Sequence, residues 1–199
     1  MTRLRETASQ TAGPYVHIGL APQAAGIQGG PAPLGLDPAG PEARGARIAL
    51  EGVVLDGAGA PVRDAVIESW QANAAGIYAH PEDPRGAEVE PGFTGWGRAA
   101  ADGETGSWRI DTVKPGPAPG PGGAAMAPHV ALWIVARGVN TGLHTRLYFA
   151  DEAAANASDP LLAQLGPRAR TLIAAETAPG RWRFDIRLQG ADETVFLDV

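Results

Sequence analysis

A chain of 199 residues with a net charge of −6 and no cysteine is sized for one domain, and it excludes disulfide stapling, CxxC redox chemistry and thiolate metal sites. Its 27 glycines and 18 prolines exclude a long-helix protein, and a pI near 5.2 argues against nucleic acid as a partner. Much of the 44% hydrophobic content is alanine, no apolar run is long enough to span a membrane, and the polar start MTRLRETASQ lacks the apolar stretch of a secretory leader. A cytoplasmic, loop-rich domain is expected.

Residues 1–46 differ from the rest and are set apart as an N-terminal arm. Positions 21–45 are rich in Gly, Pro and Ala and hold no aromatic residue. Such a composition cannot offset its own ordering entropy. It reads as a disordered tail, or as an arm that orders against a partner. Just before it, SQTAGPYVHIGL (9–20) carries Tyr15, Val16, Ile18 and Leu20, which favour order.

From residue 47 the hydrophobic period becomes two. RIALEGVVLD (47–56), APVRDAVIESWQAN (60–73), GWGRAA, SWRIDTV, VALWIVARG, LHTRLYFA, RWRFDIRLQG and TVFLDV read as short strands. Gly, Pro, Asn and Asp punctuate them. Only 151–165 and 167–176 read as helix. The expected fold of 47–199 is mainly β: an antiparallel β-sandwich of about eight strands, with one short helical excursion and long Gly/Pro-rich loops.

The histidines, His17, His80, His129 and His144, do not share ligand spacing, and HExxH, GxSxG and GxxxxGK motifs are absent. Taken singly, each reads as an ordinary loop or strand residue. The stretch 115–125 is mostly Gly and Pro, and it leads through Met126, Pro128 and His129 into a strong strand. Upstream, a strand ends in an Asn/Gly turn followed by Tyr78.

Five motifs stand out: W-Q-A-N-A-A-G-x-Y (70–78), G-R-x-x-x-D-x-x-x-G-x-W (97–108), T-V-K-P-G-P (112–117), A-P-H (127–129) and R-F-D-I-R-L-Q-G (183–190). Together they resemble the intradiol ring-cleaving dioxygenases. The resemblance covers about 9–20 and 47–199. It implies a non-haem Fe(III) held by two tyrosinates and two histidines, where a catechol chelates and is cleaved with O2 between its hydroxyl-bearing carbons. Hard phenolates suit ferric iron, and imidazoles complete the shell. The family pattern is G-x-Y, then P-G-P-Y-P, then R-P-A-H-I-H-F with an arginine near the substrate. Here Tyr78 and His129 match the first tyrosine and the first histidine. The second tyrosine position is Ala118, the second histidine position Ala131, and the arginine position Met126.

By that resemblance the site is vestigial: this chain holds no metal, and Tyr78 and His129 are packing relics. The chain is then expected to be the non-catalytic subunit of a heteromeric member, with Fe(III) in a homologous partner chain. The segment 9–19 is expected at the interface. Thr11, Gly13 and Pro14 would line the partner's substrate pocket, and Arg137 would lie close to it. On the residues alone, Gly13-Pro14 also reads as a turn and Arg137 as a bulge or salt-bridge residue. Two rival functions remain: a self-sufficient catechol-type dioxygenase with unusual ligands, which Ala118 and Ala131 oppose, and a non-enzymatic transthyretin-like binding module, which the ordered-looking 9–20 segment opposes.

Overall fold

Eleven strands form where period-two stretches can pair, and the structure, a computed structural model, describes them together with the loops of residues 11–29 and 32–198. The first ten residues of the expected arm lie outside the described residues. In chain order the strands are β1 (Arg47–Leu55), β2 (Val66–Trp70), β3 (Trp96–Ala100), β4 (Ser107–Val113), β5 (Ala118–Pro119), β6 (Ala125–Met126), β7 (His129–Val135), β8 (Leu143–Phe149), β9 (Ile173–Ala178), β10 (Arg181–Arg183) and β11 (Ile186–Arg187). Three short α-helices accompany them: α1 (Tyr15–Leu20), α2 (Ala153–Ser158) and α3 (Pro160–Leu165). No helix of the described residues is long and apolar enough to cross a membrane.

Nine strands share one sheet in the order β11-β1-β10-β9-β8-β7-β2-β3, with β4 paired to β1 off that path. The expectation of a purely antiparallel sheet is corrected: β1 runs parallel to β10 and β11, and β8 runs parallel to β9. The last pairing has a clear cause. The helical excursion between Phe149 and Ile173 is long enough to bring the chain back beside the last two residues of β8 in the same direction, pairing Tyr148 with Ile173 and Phe149 with Ala174.

Two segments depart from their expected type. The helical reading of 167–176 overruns into β9, because Ala and Glu favour helix while pairing to β10 and β8 holds IAAETA extended. TVFLDV makes only an isolated bridge, Leu197 to His144, among its described residues. The Gly/Pro-rich stretch, read as loop, contains the small β5–β6 hairpin.

One apolar cluster takes side chains from both halves of the sheet: Leu50 and Val54 of β1, Trp108 of β4, Ile67 of β2, Leu132 of β7 and Phe149 of β8. Each alternates with outward neighbours, so the other faces of β2, β3, β7 and β8 are free to build a site. Residues 35–40 are laid against this body by backbone bonds. Pro38 O accepts from the N–H groups of Thr94 and Gly95, and Gly35 O accepts from Arg98 N–H. Glu90 ties the same region together, accepting from Arg44 Nε (2.9 Å) and Asn73 Nδ2 (2.8 Å). Burial favours its neutral form, but these bonds and its own backbone N–H outweigh that and hold its pKa at about 2.

Candidate functional site

The site grows from the alternation of β7. Val130, Leu132 and Ile134 enter the core, which turns His129, Ala131 and Trp133 to the opposite face. Across the ladder, Ala131 is paired with Trp70 of β2 on one side and Arg146 of β8 on the other. His129 is paired with Tyr148, whose ring lies 5.5 Å from the imidazole.

Beyond β2 the chain turns sharply to deliver Tyr78. Asn73 Oδ1 accepts from the N–H groups of Ala75 and Ile77, both at 3.0 Å. Gly76 sits at φ +72°, and a Cβ there would overlap the Pro117 carbonyl oxygen. Asn73 O in turn accepts from Gly116 N–H at 3.0 Å. The A-G-x-Y turn and the P-G-P stretch are thus fixed to each other. Tyr78 stacks on Trp70 with centroids 6.0 Å apart and lines a cleft of about 590 Å³ with His80, Asp83, Arg85 and Pro119. Burial pushes the Tyr78 hydroxyl pKa up, against the pull of the Arg146 charge.

Met126 pairs with Ala118 across the β5–β6 hairpin, and Ala118 is 3% exposed. Arg146 donates through Nη1 to the Met126 sulfur and to the Tyr148 hydroxyl, both at 3.4 Å. His129 is 4% exposed, and its Nδ1 lies 2.7 Å from Ala127 O. A carbonyl only accepts, so Nδ1 carries the proton. Burial and then the Arg146 charge lower the His129 pKa to about 4, so the ring is neutral at pH 7. Tyr148 is pushed up to about 12, mainly by burial. Asp159, fully buried, joins the parts: it accepts from Leu161 and Leu162 N–H at the start of α3, from Ala127 N–H, and from the Tyr148 hydroxyl.

The structure therefore brings Tyr78, Ala118, Met126, His129 and Ala131 together, but the donors do not fit a ferric centre. Ala118 and Ala131 offer only methyls, and Met126 offers a soft thioether. Arg146 brings a positive charge that both Tyr78 and His129 feel. Among the described residues no three His, Asp or Glu side chains gather as a metal would need.

Thr11, Gly13, Pro14 and Arg137 form a second group at the other end of β7. Ala12 N–H donates to Val139 O (3.2 Å) and Gly138 N–H returns to Ala12 O (3.1 Å). This exchange seats the 11–14 segment on the turn that carries Arg137. Thr11, Gly13 and Pro14 are exposed, and Arg137, itself exposed, pairs with Asp64 at 3.2 Å. Arg146, Tyr148 and Asp159 were not singled out from the sequence. The signal for the first two was present in LHTRLYFA, where period two places both on one face.

The chain matches the dioxygenase family over residues 32–190. It is 47% identical over 200 residues to the protocatechuate 3,4-dioxygenase alpha chain of Pseudomonas putida, spanning 98% of this chain and 97% of that one. It belongs to the intradiol dioxygenase family. The protocatechuate 3,4-dioxygenase beta chain of Burkholderia cepacia is 37% identical over 163 residues, which cover 77% of this chain and 68% of the relative. A solved dioxygenase domain, from a dioxygenase–carbohydrate-binding fusion of Streptomyces sp. SirexAA-E, superposes with a TM-score of 0.57 at 26% identity. That match covers 78% of this chain and 88% of the solved one.

Proposed function

We propose that this chain is the iron-free α subunit of a protocatechuate 3,4-dioxygenase, active with a homologous β subunit in a higher αβ hetero-oligomer. The assembled reaction is 3,4-dihydroxybenzoate + O2 → 3-carboxy-cis,cis-muconate, a step of aromatic catabolism (the β-ketoadipate route) in the cytoplasm. One observation carries the reading: the chain matches an α chain end to end, while its ligand positions hold Ala118 and Ala131. On this reading Fe(III) is held by the β subunit, and the two halves of the sheet are the two layers of a β-sandwich.

This chain then contributes wall rather than metal. The arm 1–46 meets the partner beside the domain 47–199, and Thr11, Gly13, Pro14 and Arg137 line the partner's substrate pocket. Gly13 lets a ring approach its backbone, Pro14 offers an apolar surface without an N–H, and Thr11 supplies a hydroxyl that can donate or accept. Arg137 presents a guanidinium suited to a carboxylate. Such a wall excludes water and orients the substrate, which are separable from holding the iron.

The test is co-expression with a paralogue that retains intact P-G-P-Y-P and R-P-A-H-I-H-F motifs. Co-purification, iron in proportion to the β subunit and turnover of 3,4-dihydroxybenzoate are expected. An iron-replete, active chain without any partner would overturn the assignment.

A further inference from the structure

Trp96, Trp70, Ala131 and Arg146 stand in direct register across β3, β2, β7 and β8. Neighbouring strands lie about 4.8 Å apart, so Trp70 and Arg146 face each other at about 10 Å across a single methyl. The gap is a cavity of about 290 Å³, walled by Trp70, Trp96, Trp133, His144 and Arg146. That is room for one aromatic ring and a small polar group, at the lower end of ordinary ligand sites.

Arg146 is half-buried, and no ion pair among the described residues includes it. Its hydrogen bonds go to two neutral atoms at 3.4 Å, the Met126 sulfur and the Tyr148 hydroxyl. The carboxylate that lines the cavity, Glu68, is taken by Arg98, which also lies 5.0 Å over the Trp96 ring. The nearest buried carboxylate, Asp159, is reached only through the Tyr148 hydroxyl, so the guanidinium has no direct ion pair, and its planar, two-pronged geometry is left to receive an anion. The indole beside it is held in place by its stack with Tyr78.

We propose that this cavity binds single-ring aromatic carboxylates, with Arg146 anchoring the carboxylate and Trp70 and Trp133 contacting the ring. It lies at the opposite end of β7 from the arm and Arg137. Phosphate or acetate would engage the guanidinium but leave the indoles uncovered, so the aromatic ring is what the walls select.

The test uses the full chain in whatever assembly it purifies, titrated with 4-hydroxybenzoate by equilibrium dialysis while tryptophan fluorescence is followed. One saturable site per chain with fluorescence quenching is expected. The neutral analogue 4-hydroxybenzamide, and acetate, are expected to bind at least about tenfold more weakly. Arg146→Gln is expected to lose about tenfold or more, and Ala131→Phe, which fills the cavity and keeps the charge, to abolish the site. Probe bound at a partner's iron would alter visible absorption, whereas this site would not, so the subunit assignment and the cavity fail separately. Equal binding of the acid and the amide to the unmodified chain overturns the proposal, even if no variant folds. So does unchanged stoichiometry in a folded Arg146→Gln chain.

Discussion

Arg146 stands directly across the β7–β8 ladder from Ala131, with its Nη1 3.4 Å from both the Met126 sulfur and the Tyr148 hydroxyl. A fixed cation thus sits beside Ala131 and Met126, and its charge reaches Tyr78 and His129. That charge favours the deprotonated forms of Tyr78 and His129, so its opposition to a metal would be direct repulsion of the cation and not an effect on those two side chains.

Restoring ligand types alone is therefore expected to fail. Ala118→Tyr with Ala131→His supplies the missing donors, but Fe(III) would then lie within a few ångströms of a guanidinium. Repulsion between them at an effective dielectric near 20 amounts to several kcal/mol. The double variant should purify with negligible iron, and adding Arg146→Leu should raise iron content several-fold by atomic absorption. Equal loading with and without Arg146 would show that the cation has no part in excluding the metal.

The turn that delivers Tyr78 should be among the least tolerant places in the chain. Gly76 combines φ +72° with a carbonyl oxygen, that of Pro117, where a Cβ would go. Gly76→Ala is expected to cost about 2 kcal/mol or more, since a left-handed residue with a Cβ is already strained by 1–2 kcal/mol on typical values. Denaturant unfolding measures it. A loss under about 0.5 kcal/mol would mean that the two loops are not pinned together as their hydrogen bonds indicate.

Much of this architecture was legible because period-two alternation survives in β1, β2, β4, β7 and β8. What alternation cannot state is direction. Nothing in RWRFDIRLQG reveals that β10 and β11 lie parallel to β1, since parallel pairing is decided by the connection from β9. Residues 173–176 read as helix from sequence because alanine and glutamate favour helix when no neighbour is considered. At the site, Tyr78, Ala118, Met126, His129 and Ala131 were found by motif. Arg146 was missed because its meaning depends on register: only the pairing with Ala131 shows a long cation opposite a methyl.

Buried neutral His129 gives the fold an acid-sensitive point. Its pKa of about 4 lies below the ordinary 6.5, so the unfolded chain binds the proton more readily. Its contribution is fully present above about pH 6.5 and is lost as pH falls through 6.5 towards 4, to a total of up to about 3 kcal/mol. Thermal unfolding between pH 7 and pH 4.5 should show this decline. His129→Asn keeps a donor for Ala127 O without a titrating ring, and should flatten the profile in that window. A variant profile parallel to the original would place the acid sensitivity elsewhere.

The arm supplies the sharpest test of the subunit reading. Gly13 has open space around the point where a Cβ would be, so Gly13→Val should leave this chain's own stability within about 0.5 kcal/mol. Any larger consequence must then come from something that the arm meets in the assembly. If Gly13 forms part of the β subunit's substrate wall, valine methyls crowd the ring and raise KM. Iron per αβ unit should stay unchanged, because no ligand is touched. The measurement is steady-state kinetics with 3,4-dihydroxybenzoate alongside iron content, for complexes carrying wild-type and Gly13→Val chains. A several-fold rise in KM at constant iron supports the wall, since loss of uniform binding appears in KM before kcat. Unchanged kinetics in an intact, iron-replete complex would reduce the arm to a tether and remove Thr11, Gly13 and Pro14 from the substrate pocket.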